Sequence, residues 1–173
     1  ETDWSDALRG VDVVIHLAAR VHVMKDTATD PLSEFLKVNL HGTEALARQA
    51  ARAGVERFVY VSSIKVNGER TTELRPFVES DKPDPQDAYA VSKWRAEQAL
   101  RRIAHETGLE IVILRPPLVY GPDVKGNFLK LMSAVHKGVP LPFASVHNAR
   151  SLIYLENLAS ALMVCATHPA AAG

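Results

Sequence analysis

The sequence predicts an α/β fold built around a parallel sheet. Three short apolar runs rich in β-branched residues lie at 11–17, 58–61 and 111–114, and stretches with helical periodicity separate them. Strands that alternate with helices of this length are typical of right-handed crossovers between parallel strands. The runs are nearly continuous in apolar character, which indicates strands covered on both faces. We therefore expect a parallel sheet with helices on both faces.

The strand at 11–17 precedes a helix whose beginning and end are both marked. Asp30 can cap the helix by accepting a backbone N–H hydrogen bond, and Pro31 suits the first helical position because it has no N–H to leave unpaired. Apolar residues then recur at helical spacing, and Gly54 is placed to end the helix. This segment predicts the first crossover helix.

The second crossover has the same organisation. A polar loop follows the strand at 58–61, Asp87 can cap a long helix, and Gly108 is placed to end it before the strand at 111–114. Beyond about Tyr120 the pattern changes to a further helical segment, a short apolar run and a closing helix rich in alanine and leucine. We expect this tail to leave the sheet rather than to extend it.

Composition and charge exclude several classes of protein. The 20 basic residues balance the 20 acidic ones, so no field of one sign would draw the chain to nucleic acid or to a membrane surface. No apolar run reaches the roughly 20 residues that span a bilayer, and the first residues carry no basic-then-apolar leader. The single cysteine, Cys165, excludes an internal disulfide and favours a reducing compartment. We expect a soluble, cytoplasmic protein of one domain, or part of one.

Histidine and cysteine placement predicts no metal site. The seven histidines show no spacing typical of metal ligands, and His16 lies in a predicted strand, where a hydrogen-bonded core residue is more common than a ligand. Cys165 lies in an apolar stretch, where a buried thiol is more common than a nucleophile. We expect neither residue to carry chemistry.

Polar sites follow all three predicted strands at the point where each strand ends, the first of them in the segment after Leu17. Ser62 and Ser63 come after the second strand, and Arg115 comes after the third. In open parallel sheets, ligands bind outside the carboxyl ends of the strands. Tyr89 and Lys93 lie four residues apart in the first turns of the second helix, so both project from one face. The sequence therefore predicts a site that combines hydroxyls, a phenol and an ammonium at this edge of the sheet.

This combination suits proton transfer coupled to hydride transfer. A free phenol has a pKa near 10 and is a poor base at neutral pH. We expect the Lys93 ammonium, helped by the positive end of the helix, to lower the pKa of Tyr89 toward a useful value. Ser63 would hydrogen-bond the oxygen whose proton moves. The alternative is that Tyr89 and Lys93 form an ordinary pair on a helix surface, since this spacing also arises by chance.

Five segments together resemble one family of enzymes. They are His16–Ala19 (HLAA), Asn39–Thr43 (NLHGT), Val61–Ser63 (VSS), Tyr89–Lys93 (YAVSK) and Arg115–Pro122 (RPPLVYGP). The chain resembles the extended short-chain dehydrogenase/reductase family, and within it the nucleotide-sugar epimerase/dehydratase branch, over almost its entire length. This resemblance implies the second half of a Rossmann-type doubly wound parallel sheet in residues 1–122, and the start of a small substrate-binding lobe in residues 123–173.

The resemblance also implies roles for individual residues. Tyr89 would be the catalytic acid/base, Lys93 its partner and a ribose ligand, and Ser63 the hydroxyl that polarises the substrate. The residues expected to bind the cofactor are Leu17, Ala18, Ala19, Asn39, Ser62, Tyr89, Lys93 and Pro116. The residues expected to contact the substrate are Ser63, Asn127 and Arg150, whose guanidinium suits a nucleotide diphosphate. The implied cofactor is NAD, although these residues do not choose between NAD and NADP.

Members of this family carry a glycine-rich pyrophosphate loop after a first strand, and this chain does not contain one. We therefore expect the N-terminal βαβ half to be absent and the strand at 11–17 to expose an apolar edge. We also expect these 173 residues alone to bind dinucleotide weakly and to turn nothing over. Family members commonly pair through the helix after Asn39 and the helix that carries Tyr89, so a homodimer is expected.

The resemblance implies hydride transfer at C4 of a UDP-linked sugar, as in a UDP-glucose or UDP-N-acetylglucosamine 4-epimerase. A UDP-4-keto-hexosamine reductase is an alternative that Lys65 and Asn67 favour. Two others are an extended short-chain dehydrogenase acting on a non-sugar alcohol or ketone, and a non-catalytic dinucleotide-binding module. No Asp-Glu pair adjoins Ser63, which disfavours dehydration. Leu118 replaces an asparagine that is usual in the branch, which indicates an atypical substrate.

Overall fold

The main sheet of the protein has three parallel strands. The structure, a computed structural model, describes residues 2–21, 30–71, 75–141 and 149–172. The strands β1 (Val13–His16), β2 (Arg57–Val61) and β3 (Glu110–Leu114) lie in the order β1-β2-β3. Val14 pairs with Phe58 and Phe58 with Ile111, so the three strands end at one edge. Within the described residues β1 pairs with β2 alone, and its four residues are half-buried. The predicted parallel α/β sheet is confirmed.

The first crossover helix contains a wider turn in its middle. Helix α1 (Pro31–Leu36) begins where the Asp30 side chain accepts a hydrogen bond from the Ser33 backbone N–H, at 3.2 Å. It continues through a π-helical turn (Lys37–Gly42) into α2 (Thr43–Arg52). The cap and the continuous helical segment agree with the sequence. The π turn was not predicted, and turns of this kind frequently lie at functional sites.

The second crossover helix forms as the sequence predicts. Helix α3 (Ala88–Thr107) begins where Asp87 accepts from the Ala90 backbone N–H at 2.7 Å. It ends at Gly108, which has a φ of 78°, a left-handed conformation that glycine adopts without a side-chain clash. The buried face of α3 packs with α2 against one face of the main sheet. Its core residues are Ala90, Ala96, Ala99, Leu100 and Ile103.

The last helix covers the other face of the main sheet. Leu158, Leu162 and Ala166 of α5 (Leu155–Thr167) pack with Val59 and Val112 of the central strands. The tail was expected to leave the sheet, and α5 differs because its apolar stripe completes the second layer that a parallel sheet requires. Residues 123–173 were predicted to be a separate region, and this boundary stays a prediction.

A hydrogen-bonded arginine fixes α5 to the sheet. The buried guanidinium of Arg57 in β2 donates to the carbonyl oxygens of Cys165, Ala166 and His168, at 3.1, 3.2 and 2.9 Å. These carbonyls lie at the C-terminal end of α5, where no further turn of helix supplies partners. Arg57 also pairs with Glu110 of β3, at 2.7 Å.

A smaller parallel sheet follows the main one. Strand β4 (Leu118–Tyr120) pairs with β5 (Leu152–Tyr154), and β5 leads directly into α5. A Cβ atom at Gly121 would lie 3.0 Å from the Cβ of Leu155, which is tighter than ordinary contact. Glycine therefore lets the end of β4 approach the start of α5 closely.

Helix α4 (Gly126–His136) lies outside the core of the described residues. It contributes no buried residue, and Leu129, Met132 and Val135 are exposed on it. Phe128 joins α4 to the smaller sheet through a ring contact with Tyr120, at 5.5 Å between centroids. Within the ranges that the structure describes, no helix has the length and apolar character that a membrane crossing requires.

Candidate active site

The predicted site residues gather at the carboxyl edge of the main sheet. Residues 17–20 follow β1, Ser62 and Ser63 follow β2, and Arg115 and Pro116 follow β3. The first turns of α3 lie beside the same edge, because Lys93 donates a hydrogen bond to the carbonyl of Val61, at 2.8 Å. The parallel register produces this convergence, since it aligns the three strand ends.

Tyr89 and Ser63 lie near each other. Ser63 acts on the phenol as a hydrogen-bonding neighbour and lowers the pKa of Tyr89. Ser63 is half-buried and extended, with φ −154° and ψ 145°, and caps a short 3₁₀ turn (Ile64–Val66) by accepting from the Lys65 N–H at 3.3 Å. Phe35 of α1 packs edge-on against the Tyr89 ring, at 6.1 Å between centroids. The hydroxyl and the phenol are therefore held together by elements that come from distant parts of the chain.

Lys93 lies on the same side of α3 as Tyr89. Its side chain is buried, and its Nζ is 4.7 Å from the ring centroid of Tyr60 and 6.0 Å from that of Tyr89. The cation therefore lies over two phenol rings and donates to one backbone carbonyl. The alternative of a solvated pair on a helix surface does not fit this burial.

Burial sets the protonation of both groups. It lowers the pKa of Lys93 to about 8, while the nearby Glu97 carboxylate opposes this shift. Burial also raises the pKa of Tyr89, the hydrogen bond from Ser63 opposes the rise, and the Asp87 carboxylate adds to it. The pKa of Tyr89 is raised, so the expected lowering by Lys93 is wrong for this structure. Desolvation of the phenol is the largest effect on this pKa, and the Lys93 ammonium is directed at the Val61 carbonyl.

A buried asparagine holds the loop after β1. The Oδ1 of Asn39 accepts from the backbone N–H of Arg20 at 2.8 Å, and its Nδ2 donates to the Arg20 carbonyl at 3.0 Å and to Ser92 Oγ at 2.9 Å. Asn39 lies in the π turn, which carries its amide into the core. Just before Arg20, Leu17 and Ala18 are exposed and Ala19 is half-buried. The loop thus offers an apolar surface whose backbone is fixed from behind.

Ser62 faces the core rather than the crevice. It is buried, and its hydroxyl donates to Oε1 of Glu97 at 2.5 Å. Arg115 donates to the same carboxylate from Nε at 2.9 Å and from Nη2 at 2.5 Å. Glu97 was not predicted from the sequence. The sequence feature that could have indicated Glu97 is its position: a carboxylate one turn after Lys93, on a face of α3 that also carries Ala96 and other apolar residues.

The remaining predicted residues lie farther out. Pro116 is half-buried, and its carbonyl accepts from the Ile64 N–H at 3.1 Å, which joins the corner after β3 to the loop after β2. Asn127 is exposed in the first turn of α4, and Arg150 is exposed just before β5. Among the residues described, no hydrogen bond joins Asn127 or Arg150 to the cluster around Tyr89.

His16 and Cys165 lie in structural surroundings. His16 Nε2 is 2.9 Å from Thr43 Oγ1, and its ring stacks on Tyr60. Burial lowers the pKa of His16 to about 4, so the ring is neutral at neutral pH. Cys165 is half-buried in α5, and burial raises the pKa of its thiol. Over the described part of the chain, no group of three or more histidine, cysteine, aspartate or glutamate side chains could hold a metal ion.

Comparison with known proteins decides the family. The model of the family described as "NAD dependent epimerase/dehydratase family" matches residues 1–173. The chain belongs to this family. The resemblance deduced from the five segments is therefore confirmed.

Individual relatives agree with this family assignment. A UDP-glucose 4-epimerase from Vibrio cholerae is 48% identical over 172 residues, which are 99% of this chain and 52% of the relative. The solved structure of a UDP-glucuronic acid 4-epimerase from Bacillus cereus, in complex with UDP-glucuronic acid and NAD, has 25% identity and a TM-score of 0.82 over 99% of this chain and 54% of its own. A dTDP-glucose 4,6-dehydratase from Streptomyces venezuelae with NAD bound has 29% identity and a TM-score of 0.76, covering 93% and 50%.

These epimerase/dehydratase relatives confirm the Rossmann-type α/β fold. The chain spans about half the length of the relatives that it matches. The residues that hold Tyr89, Ser63 and Lys93 together all lie within that half.

Proposed function

We propose that this chain carries the acid/base centre of an NAD-dependent enzyme that transfers hydride at C4 of a nucleotide sugar. The buried Lys93 ammonium, 6.0 Å from the centroid of the Tyr89 ring, is the observation that carries the proposal, and Ser63 acts on the same phenol. Membership of the epimerase/dehydratase family supports the reaction class. The alternative of a non-catalytic dinucleotide-binding module fits less well, because a buried ammonium beside a phenol serves no need of a passive scaffold.

In this proposal Tyr89 moves the proton. As phenolate it accepts the proton of the C4 hydroxyl when the sugar is oxidised, and as phenol it returns the proton when the keto sugar is reduced. Ser63 lies near the phenol, where it lowers the pKa of Tyr89, and would orient the same sugar oxygen. The raised pKa of Tyr89 leaves it protonated at neutral pH until binding changes its surroundings, and a protonated phenol is the form that donates in the reduction step.

Lys93 would hold Tyr89 in place and bind the ribose of the cofactor. Its pKa of about 8 leaves most of the side chain charged at neutral pH. The Val61 carbonyl takes one of its three N–H donors, at 2.8 Å, so donors remain for ribose hydroxyls. The charge also favours the phenolate of Tyr89 once the proton is accepted.

The carboxyl edge of the sheet fits a nicotinamide dinucleotide. Exposed Leu17 and Ala18, with half-buried Ala19, give an apolar wall that Asn39 fixes from behind, and Pro116 lies at the neighbouring strand end. The Ser62 hydroxyl donates a hydrogen bond to Glu97. We therefore assign Ser62 to the support of the site rather than to side-chain contact with a ligand. A bound nicotinamide would supply and accept the hydride. The cofactor is proposed to be NAD, as the solved Bacillus cereus relative holds, and these residues do not choose between NAD and NADP.

A UDP-sugar is the proposed substrate, with 4-epimerisation as the net reaction. The Vibrio cholerae relative, a UDP-glucose 4-epimerase, supports this at 48% identity. Dehydration is disfavoured because Ile64 and Lys65 follow Ser63, where sugar dehydratases typically carry an Asp-Glu pair. Tightly retained NAD after purification would favour the epimerase, and stoichiometric NAD(P)H consumption would favour a keto-sugar reductase.

Three parts of the proposal reach beyond the acid/base centre. The exposed Arg150 and Asn127 would contact the nucleotide sugar from residues 123–173, the partial substrate-binding region. Two copies of the protein would pair through the outer faces of α2 and α3. Within one chain, Arg48 of α2 and Glu106 of α3 join these helices by an ion pair at 2.8 Å. Residues 1–122 would form the second half of the dinucleotide-binding domain.

Replacing the Tyr89 hydroxyl tests the proposal. In the complete protein, Tyr89→Phe keeps the ring contact with Phe35 but removes the proton carrier, so we expect kcat for UDP-sugar epimerisation to fall by about 10²- to 10⁴-fold. NAD affinity, measured by titration, should change little. Tyr120→Phe, in the smaller sheet, is the matched control and should keep its rate. Activity of Tyr89→Phe equal to wild type would overturn the acid/base assignment.

A further inference from the structure

A buried carboxylate lies one turn beyond the proposed catalytic lysine. Glu97 in α3 is completely buried and accepts three hydrogen bonds from two side chains. Ser62 donates one from the end of β2, and Arg115 donates two from the end of β3. The third guanidinium nitrogen of Arg115 donates to Oδ1 of Asn67 at 3.0 Å. We name Ser62, Asn67, Glu97 and Arg115 the Glu97 cluster.

The Glu97 cluster joins the ends of β2 and β3 to α3, and these three elements carry proposed site residues at the carboxyl edge of the main sheet. Ser62 directly precedes Ser63, Arg115 directly precedes Pro116, and Glu97 lies four residues after Lys93 on the same helix. A displacement of either strand end relative to α3 would lengthen a hydrogen bond to a charged, buried group. Such bonds are shorter and stronger than neutral ones, so they resist displacement.

A contribution to the stability of the fold does not by itself explain the buried ion pair of Glu97 and Arg115. Replacing a buried ion pair by apolar side chains of similar volume is often neutral or stabilising, because desolvation of the two charges offsets their attraction. The neighbours of Glu97 on its helix face, Ala96 and Leu100, show that apolar residues suit this layer. The ion pair instead fixes one geometry, since a bidentate guanidinium and carboxylate tolerate little rotation.

We propose that Glu97 is a positioning residue that holds the strand ends bearing Ser63 and Pro116 in register with the helix bearing Tyr89 and Lys93. The inference rests on the proposed function, because it assigns to Glu97 the alignment of the groups named there. Glu97 itself touches neither substrate nor cofactor in this assignment. Its effect passes through Ser62, Arg115 and Lys93.

The charge of Glu97 gives the proposal a second, electrostatic readout. From its own helix Lys93 is faced by Tyr89 and Glu97, from β2 by Tyr60, and from β1 by His16, which is neutral at neutral pH. Arg115 approaches from the end of β3 and is paired with Glu97. Glu97 is the carboxylate of this set, and it favours the charged form of Lys93.

Removing that charge should shift the pH dependence in a defined direction. Without the Glu97 carboxylate, the pKa of Lys93 falls further below its present value of about 8, and the unpaired Arg115 cation lowers it again. Activity that needs charged Lys93 is lost as the pH rises through that pKa. The alkaline limb of the kcat profile should therefore move to lower pH.

Glu97→Gln in the complete protein tests the proposal. We expect kcat for UDP-sugar turnover to fall by about 10- to 100-fold, as misplacement of reacting groups by an ångström does. We expect KM to change little and the alkaline limb to move to lower pH. Glu110→Gln is the matched control, because Glu110 pairs with Arg57 across the same two strands at their opposite ends. It should leave kcat and its pH profile unchanged.

A folded Glu97→Gln variant with wild-type kcat and pH profile would overturn the proposal. If this variant does not fold, the double change Glu97→Met with Arg115→Met replaces both charges by apolar side chains and relieves the unpaired cation. Lowered kcat with normal NAD affinity in the folded double variant supports positioning, and wild-type kcat overturns it. Failure of both variants to fold would assign the cluster to stability alone and also overturn the proposal.

Tyr89→Phe in the same assays separates this inference from the proposed function. If Tyr89→Phe is inactive and Glu97→Gln is normal, only the positioning role is wrong. If Tyr89→Phe is fully active, the proposed function and the inference that rests on it both fall.

Discussion

At the scale of single residues, the protonation of Tyr89 depends on a balance that its neighbours can change. Burial and the Asp87 carboxylate raise the pKa of the phenol, while the Ser63 hydrogen bond lowers it. Asp87 is itself paired with Lys65, the lysine that follows the two serines in an unusual position. The residue that caps α3 therefore also influences the proposed acid/base group, Tyr89, two positions later.

Asp87→Asn tests this influence. Asparagine caps a helix about as well as aspartate, so the fold of α3 should be kept. Loss of the negative charge lowers the pKa of Tyr89, so the phenolate persists to lower pH and the acid limb of sugar oxidation should move down. Because Asp87 and Lys65 are partly exposed, we expect a shift of less than about 1 pH unit in kcat/KM profiles.

Asp84→Asn is the control for this experiment. Asp84 is exposed in the same loop and is not among the groups that act on the Tyr89 pKa. An equal shift in both variants would show that general surface charge, and not the cap, sets the protonation of Tyr89. No shift in Asp87→Asn would remove Asp87 from the account.

At the scale of elements, features that depend on nearby residues could be predicted from the sequence. Contacts between residues far apart in the chain could not. Asp30, Asp87 and Gly108 mark helix ends because caps act within three or four residues, and all three lie where the sequence predicts. The return of α5 to the sheet depends on Arg57, which contacts the Ala166 carbonyl across 109 positions of sequence. No short window of sequence contains that pairing.

The Arg57 contacts predict a large effect on stability. Arg57→Ala leaves three helix-end carbonyls and the Glu110 carboxylate without their partner, so the free energy of unfolding should fall by about 2–4 kcal/mol in chemical denaturation. Arg48→Ala removes an arginine whose two ion pairs are partly exposed, and should cost less than about 1 kcal/mol. Equal losses in the two variants would refute the role of Arg57 at the end of α5.

The candidate site shows the same division between local and distant information. Tyr89, Lys93 and Ser63 were found because helical spacing and strand ends predict their convergence. Glu97 was missed, because its role depends on partners 35 residues earlier and 18 residues later in the chain. The pKa of Tyr89 was misjudged for a related reason, since spacing reveals which charges are near but not how deeply a group is buried.

At the scale of the whole molecule, the main sheet is covered on both faces. Within the described residues, β1 is an edge strand of this sheet. Helices α2 and α3 cover one face and α5 covers the other. The chain spans about half the length of its relatives, and Leu17 and Ala18 at the end of β1 are exposed. Residues 17 and 18 therefore form part of one wall of the proposed dinucleotide site.

A single wall predicts weak binding. Isothermal titration of residues 1–173 alone with NAD and NADP should give Kd values weaker than micromolar and no turnover of UDP-sugar, because most of the ligand surface would stay in water. The complete protein is the comparison and should bind more tightly. Micromolar affinity for the 173 residues would show that this half suffices to hold the cofactor.

The amide of Asn39 has a mechanical consequence for such an enzyme. It is bonded on one side to the backbone of Arg20 and on the other to Ser92, whose hydroxyl donates to the carbonyl of Tyr89 at 2.7 Å. A ligand that immobilises the loop before Arg20 should therefore also stiffen the opening turn of the helix that carries Tyr89. In the proposed enzyme, order in the loop before Arg20 and order in the turn that carries Tyr89 would therefore be coupled through the Asn39 side chain.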